Sequence, residues 1–93
     1  MQTGSNNSKE RLILSLGKII KKHRLEQKKT MYKISAECSI HKSSWRLIEQ
    51  GLVKDIKLTT IWKIAEGLDI SPEILICELV KDMGEDFSLS DLK

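Results

Sequence analysis

Between Lys42 and Gln50 the chain reads KSSWRLIEQ, in which two cations, two hydroxyls and an amide surround Trp45 and Ile48. Lys42 and Arg46 offer charged hydrogen-bond donors, Ser43 and Ser44 donate or accept, and Leu47 adds an apolar contact. This is an inventory for recognition, not for making or breaking bonds. A catalytic site needs a nucleophile, base or metal set converging in one cleft. His23 lies on the apolar stripe of the first helix and His41 at a helix start, where each has a sufficient structural role. Neither stands at metal-ligand spacing from Cys38 or Cys77. The expectation is therefore a protein that is no enzyme and carries no metal or cofactor.

The segment must be held by what precedes it. Thr30 suits the N-cap of a short helix from Met31 to about Glu37, its hydroxyl placed to accept from a free first-turn amide. Ile34 and Cys38 lie four apart and share a face. Ser39 interrupts the pattern, Ile40 is expected as a buried pin, and a second helix runs from about Lys42 to Gln50. Gly51 is its left-handed stop. Trp45 and Ile48 face inward there, leaving Lys42, Ser43, Arg46, Leu47 and Gln50 to point elsewhere. The whole unit is two short helices joined by a turn too tight for a loop.

Over residues 16–76 the chain resembles the phage-repressor, Cro-like (XRE-type) family of helix-turn-helix DNA-binding proteins. Leu16, Gly17, Ile20 and Arg24 match its opening pattern of Leu-Gly, an apolar residue and an Arg near the end of helix 1. Ile34 and Ser35 stand where the family has Leu-Ala, Ile40 is its apolar residue after the turn, and Glu49 and Gly51 are its Glu-x-Gly. Ile61, Ile64, Ala65 and Leu68 match its fourth helix, and Ile70, Ser71 and Leu75 its closing segment. Four positions depart. Ser39 replaces the usual turn glycine, so a left-handed conformation there costs about 1 kcal/mol. Ser35 replaces a small Ala, Met31 a frequent polar Gln, and Lys29 a common apolar residue.

The resemblance implies an all-α, five-helix lambda-repressor-like DNA-binding domain. Ninety-three residues, one proline and low aromatic content agree with one small helical domain. Residues 1–8 form a polar lead expected to lack structure, 9–83 the domain, and 84–93 an acidic tail. Formal net charge is +3, unevenly spread: through Lys57 there are thirteen Lys and Arg against five acids, and beyond it three against eight. A half at +8 carrying the two short helices, backed by a half at −5, orients the domain toward a polyanion. The cysteines are expected as free, buried thiols in a reducing cytoplasm. With no apolar run of spanning length and no signal-peptide pattern, a soluble cytoplasmic location with no membrane partner is expected.

In chain order, the first helix begins near Ser8 or Lys9 and runs to about Gln27, with Leu12, Leu16, Ile19, Ile20 and His23 on one stripe. The family packing implies that Arg24 meets Glu49 as a structural ion pair. A fourth helix runs from about Leu58 to Gly67, with Leu58, Ile61, Trp62, Ala65 and Leu68 expected to close the core. Ser71-Pro72-Glu73 combines a capping hydroxyl, a proline at the first helical position and an acid at the positive end of the dipole. The helix it opens should end at about Met83, before Gly84. Leu75 and Leu79 can face its core side. Ile76, Val80 and Met83 then form a second stripe, covered either by a second copy of the chain or by Phe87, Leu89 and Leu92 of the tail.

The resemblance implies a sequence-specific regulator of transcription, a repressor reading a near-palindromic operator in double-stranded DNA as a homodimer. Base readout falls to Lys42, Ser43, Ser44, Arg46 and Leu47, because the first turns of such a helix reach base edges in the major groove. Lys42 and Arg46 suit guanine O6 and N7 or a phosphate, and Leu47 a thymine methyl. Phosphates fall to Thr30 and the Met31 amide, with Lys28, Lys29, Lys33, Lys54 and Lys57. For Lys54 and Lys57 an ordinary solvated loop is the competing reading. The alternative for the whole chain is an antitoxin-type or other protein-interaction module on the same fold.

Overall fold

The computed structural model describes the backbone of residues 4–90 and the side chains of residues 8–90. Five helices follow one another: α1 (Gly4–Glu26), α2 (Met31–Glu37), α3 (Lys42–Gln50), α4 (Leu58–Gly67) and α5 (Pro72–Met83). Among the described residues there is no strand. The last four helices have the expected spans. The first begins at Gly4, not near Ser8, so the end of the expected unstructured lead is helical; no proline precedes Ser8, and α1 simply continues backward along its own hydrogen-bond ladder. Residues 1–3 of that lead and 91–93 of the expected tail lie outside the described residues.

Several helix boundaries have a local cause. The Thr30 hydroxyl accepts from the Lys33 amide at 3.1 Å, and the Ser71 hydroxyl accepts from the Glu73 amide at 3.2 Å, with Pro72 in the first turn. Gly51 ends α3 at φ 71°, where its amide closes on Ile48 and Leu47 carbonyls. The turn between α2 and α3 is closed by the Ile40 amide donating to the Ser35 carbonyl at 2.9 Å. Ser39 there adopts φ 58° in place of the glycine the family prefers.

The core gathers Leu16, Ile19, Ile20, Ile34, Cys38, Trp45, Ile48, Ile64, Ala65, Leu68, Leu75 and Leu79. The long α1 packs against α3 and α5, α2 against α3 and α4, and α4 against α5, so α3 is braced from behind by α1 and from the side by α2. Gly17 makes the α1–α3 approach possible: a Cβ there would run into the Ile48 and Glu49 carbonyl oxygens.

Several side chains turn differently from expectation. Leu58 is 66% exposed and Trp62 51% exposed; Ile61, Ile64, Ala65 and Leu68 already complete the inward stripe of α4, and Trp62 lies one residue, about 100°, beyond Ile61. Cys77 is exposed while Cys38 is buried, because Leu75 and Leu79 take the core face of α5. Burial pushes the Cys38 thiol up to about 11. Ile40 is only partly buried. His23 is more than a stripe residue: its Nε2 lies 2.7 Å from Glu78 Oε1 and ties α1 to α5. Further along the same seam the Ser15 hydroxyl donates to Asp82.

Candidate nucleic-acid interface

A buried polar triad aligns α3. The Arg24 guanidinium donates from Nε to Glu49 Oε2 at 2.6 Å and from Nη2 to Oε1 at 3.1 Å. Trp45 Nε1 donates to the same Oε2 at 2.6 Å, and Arg24 Nη1 donates to the Lys29 carbonyl at 2.9 Å. Arg24 and Glu49 are 7% and 5% exposed. The carboxylate is thus neutralised inside the fold, beneath the solvent face of α3, and the pair locks α1, α3 and the start of α2 in one orientation.

The opposite side of α3 is open. Trp45, Ile48 and Glu49 are buried, and Lys42, Ser43, Ser44, Arg46, Leu47 and Gln50 are exposed. With about 100° per residue, Ser43, Arg46, Leu47 and Gln50 fall within an arc of roughly 100° directly opposite the buried side. Lys42 and Ser44 flank that stripe on either side. Ser44 borders a shallow depression with Ser39, His41, Lys57 and Thr60. Gln50 completes the stripe, in addition to the five residues expected at base edges. Its spacing of seven from Ser43 is the signal that could have found it.

The residues expected at phosphates divide by their partners. Thr30, Lys28, Lys33, Lys54 and Lys57 are exposed, as are Lys42 and Arg46. None of these six cations has a carboxylate within 4 Å among the described residues. Lys29 differs: its ammonium lies 2.7 Å from Glu37, and this hydrogen bond holds the Glu37 carboxyl below the usual range. Met31 is half-buried and packs on the core. In the loop after α3, Asp55 accepts from the Ile56 amide at 2.9 Å and sits 3.4 Å from Lys9 of α1. The amide first and Lys9 second hold its carboxyl below the usual range.

The residues expected at a dimer contact are also unequal. Val80 is 61% and Ile76 38% exposed, whereas Met83 is half-buried against the core. Phe87 folds back beside Leu12, Leu79, Val80 and Met83, with the Arg11 guanidinium 5.6 Å from its ring centroid. Leu89 stays exposed, and Leu92 lies outside the described residues. Ile76 and Val80 are therefore the exposed members of the stripe, and Phe87 lines a depression beside Met83.

Among the described residues no group of three His, Cys, Asp or Glu is placed to hold a metal ion, and no helix is long and apolar enough to cross a membrane. The helix-turn-helix family model matches residues 20–75. No curated protein matches the chain in sequence. Among solved structures the chain is similar to the restriction-modification controller protein C.AhdI from Aeromonas hydrophila, at a TM-score of 0.64 and 22% identity over 73% of this chain and 96% of that one. That likeness concerns the fold.

Proposed function

Because this chain belongs to the XRE-type helix-turn-helix family of DNA-binding transcriptional regulators, we propose that it is a repressor whose dimer reads a near-palindromic operator. The observation that carries the proposal is the two-sided construction of α3. One side is fixed by a buried ion pair; the other presents an exposed hydroxyl, guanidinium, leucine and amide. B-DNA's major groove admits one such helix.

In this reading Ser43, Arg46, Leu47 and Gln50 meet base edges. Arg46 donates to guanine O6 and N7, and Gln50 pairs with adenine where it reaches one. Lys42 and Ser44, at the margins, divide between bases and the flanking backbone. Lys28, Lys33, Lys54 and Lys57, with Thr30 and the Met31 amide, set register on the phosphates and supply salt-sensitive affinity. Lys29 contributes less, since Glu37 already holds it. One domain touches only a few base pairs, so Ile76 and Val80 are assigned to pairing two copies. Their recognition helices then enter successive major grooves about 34 Å apart.

Selection from random duplexes tests the proposal: recovery of a two-fold symmetric site with half-sites one helical turn apart is expected. Enrichment of no sequence would refute it. Light scattering of the purified chain at tens of micromolar checks the pairing, for which a Val80→Glu variant should run as a monomer.

A further inference from the structure

Tyr32 is the most exposed large apolar side chain among the described residues, at 72%, in a chain with four aromatic residues. The other three behave differently. Trp45 is fully buried, Phe87 lies beneath Arg11, and Trp62 is half covered. Tyr32 is held in place by its backbone alone, since the Ser35 hydroxyl donates to its carbonyl at 3.0 Å. Its phenol makes no hydrogen bond among the described residues. Folding therefore gains little from the ring, and an aromatic that stability does not use is well suited to a contact outside the chain.

Its position narrows that contact. Tyr32 lies in the first turn of α2 with Lys33, just after the N-cap Thr30, all three exposed. On α2, Ile34, Ser35 and Cys38 face inward. Tyr32 lies one turn before Ala36 on the outward row beside Ser35, the residue whose carbonyl closes the turn into α3. Of the cations around this turn, Lys29 is tied to Glu37, so the flank carries less free positive charge than its lysine count suggests.

We propose that Tyr32 is a non-ionic contact to the DNA backbone, its phenolic O–H donating to a phosphate oxygen and its ring lying against the adjacent sugar. The inference rests on the DNA-binding reading above and adds a residue outside the positions that reading matched to the family. A neutral donor strengthens binding without releasing a counterion, so it raises affinity at every salt concentration by the same factor. It fixes register and carries no sequence information.

The test compares the wild-type chain, Tyr32→Phe and Lys33→Ala on a selected duplex and on a scrambled one, at several salt concentrations. Tyr32→Phe deletes one exposed hydroxyl and leaves the fold intact. It should weaken binding about tenfold on both duplexes, the size expected for one hydrogen bond to a charged acceptor, with an unchanged slope of log affinity against log salt. Lys33→Ala should lower that slope by about 0.9. Wild type that binds while Tyr32→Phe matches it within twofold overturns this inference alone. So does a loss confined to the selected duplex, which would make Tyr32 a base reader. Wild type that binds neither duplex overturns the regulator reading and this inference with it.

Discussion

Glu49→Ala is the perturbation with the largest consequence for the fold. The carboxylate accepts from Arg24 Nε and Nη2 and from Trp45 Nε1, and it is 5% exposed. Its removal leaves a guanidinium that is only 7% exposed with the Lys29 carbonyl as its remaining protein partner, and it strands the indole N–H. Breaking one side of such a buried pair costs about 3–5 kcal/mol, most of it from the charge left uncompensated. A domain of this length is stable by about 5–15 kcal/mol in total, and each kcal/mol moves its midpoint by about 4–8 °C. Thermal melts followed by circular dichroism should therefore show a fall of roughly 15–30 °C. The double change Arg24→Met with Glu49→Leu should recover part of it, since replacing both charges removes the uncompensated guanidinium while the indole N–H still lacks its acceptor. A Glu49→Ala midpoint within about 4 °C of wild type would refute the argument. So would a double variant less stable than the single one.

Other outcomes follow from the same geometry. The hydrogen bond from His23, with Lys22 beside it, holds the Glu78 carboxyl below its ordinary value of 4.5. A lowered folded-state value gives stability that is complete above pH 4.5 and lost as the pH falls through the folded value. The stability gap between wild type and Glu78→Gln, from urea melts between about pH 6 and about pH 3, should shrink toward the acid end; a constant gap would contradict it. Ser39→Gly relieves a side chain at φ 58° and should stabilise the domain by about 0.5–1 kcal/mol in the same melts. Arg46→Ala should relax preference at one operator position, whereas Lys54→Ala should weaken binding evenly and lower the salt slope by about 0.9. If both change binding in the same way, the division between base and phosphate contacts fails.

How far the fold could be read in advance depended on whether its cause was local. Thr30, Gly51 and the Ser71-Pro72 pair mark helix ends by their own backbone chemistry, and α2 starts, α3 ends and α5 starts where those residues imply. The Arg24–Glu49 contact spans 25 positions and was legible only through the family pattern. Trp62 and Cys77 are apolar in type yet exposed, because the helix phase, set by Ile64 and Leu79, turns them away from the core. The seam of His23 with Glu78 and Ser15 with Asp82 joins residues 55 and 67 positions apart, and no local signal announces such polar partners. For the interface, α3 supplied residue types and exposure in sequence. The order of its stripe, with Gln50 inside and Lys42 at the edge, required the buried side to be known.

The most direct test of the whole account is a titration of the isotope-labelled chain with its selected duplex, read residue by residue from amide and side-chain chemical shifts. The largest changes are expected at Ser43, Arg46, Leu47 and Gln50, followed by the loop around Lys54, with little at Ile74. Changes centred on α5 with α3 undisturbed would contradict it.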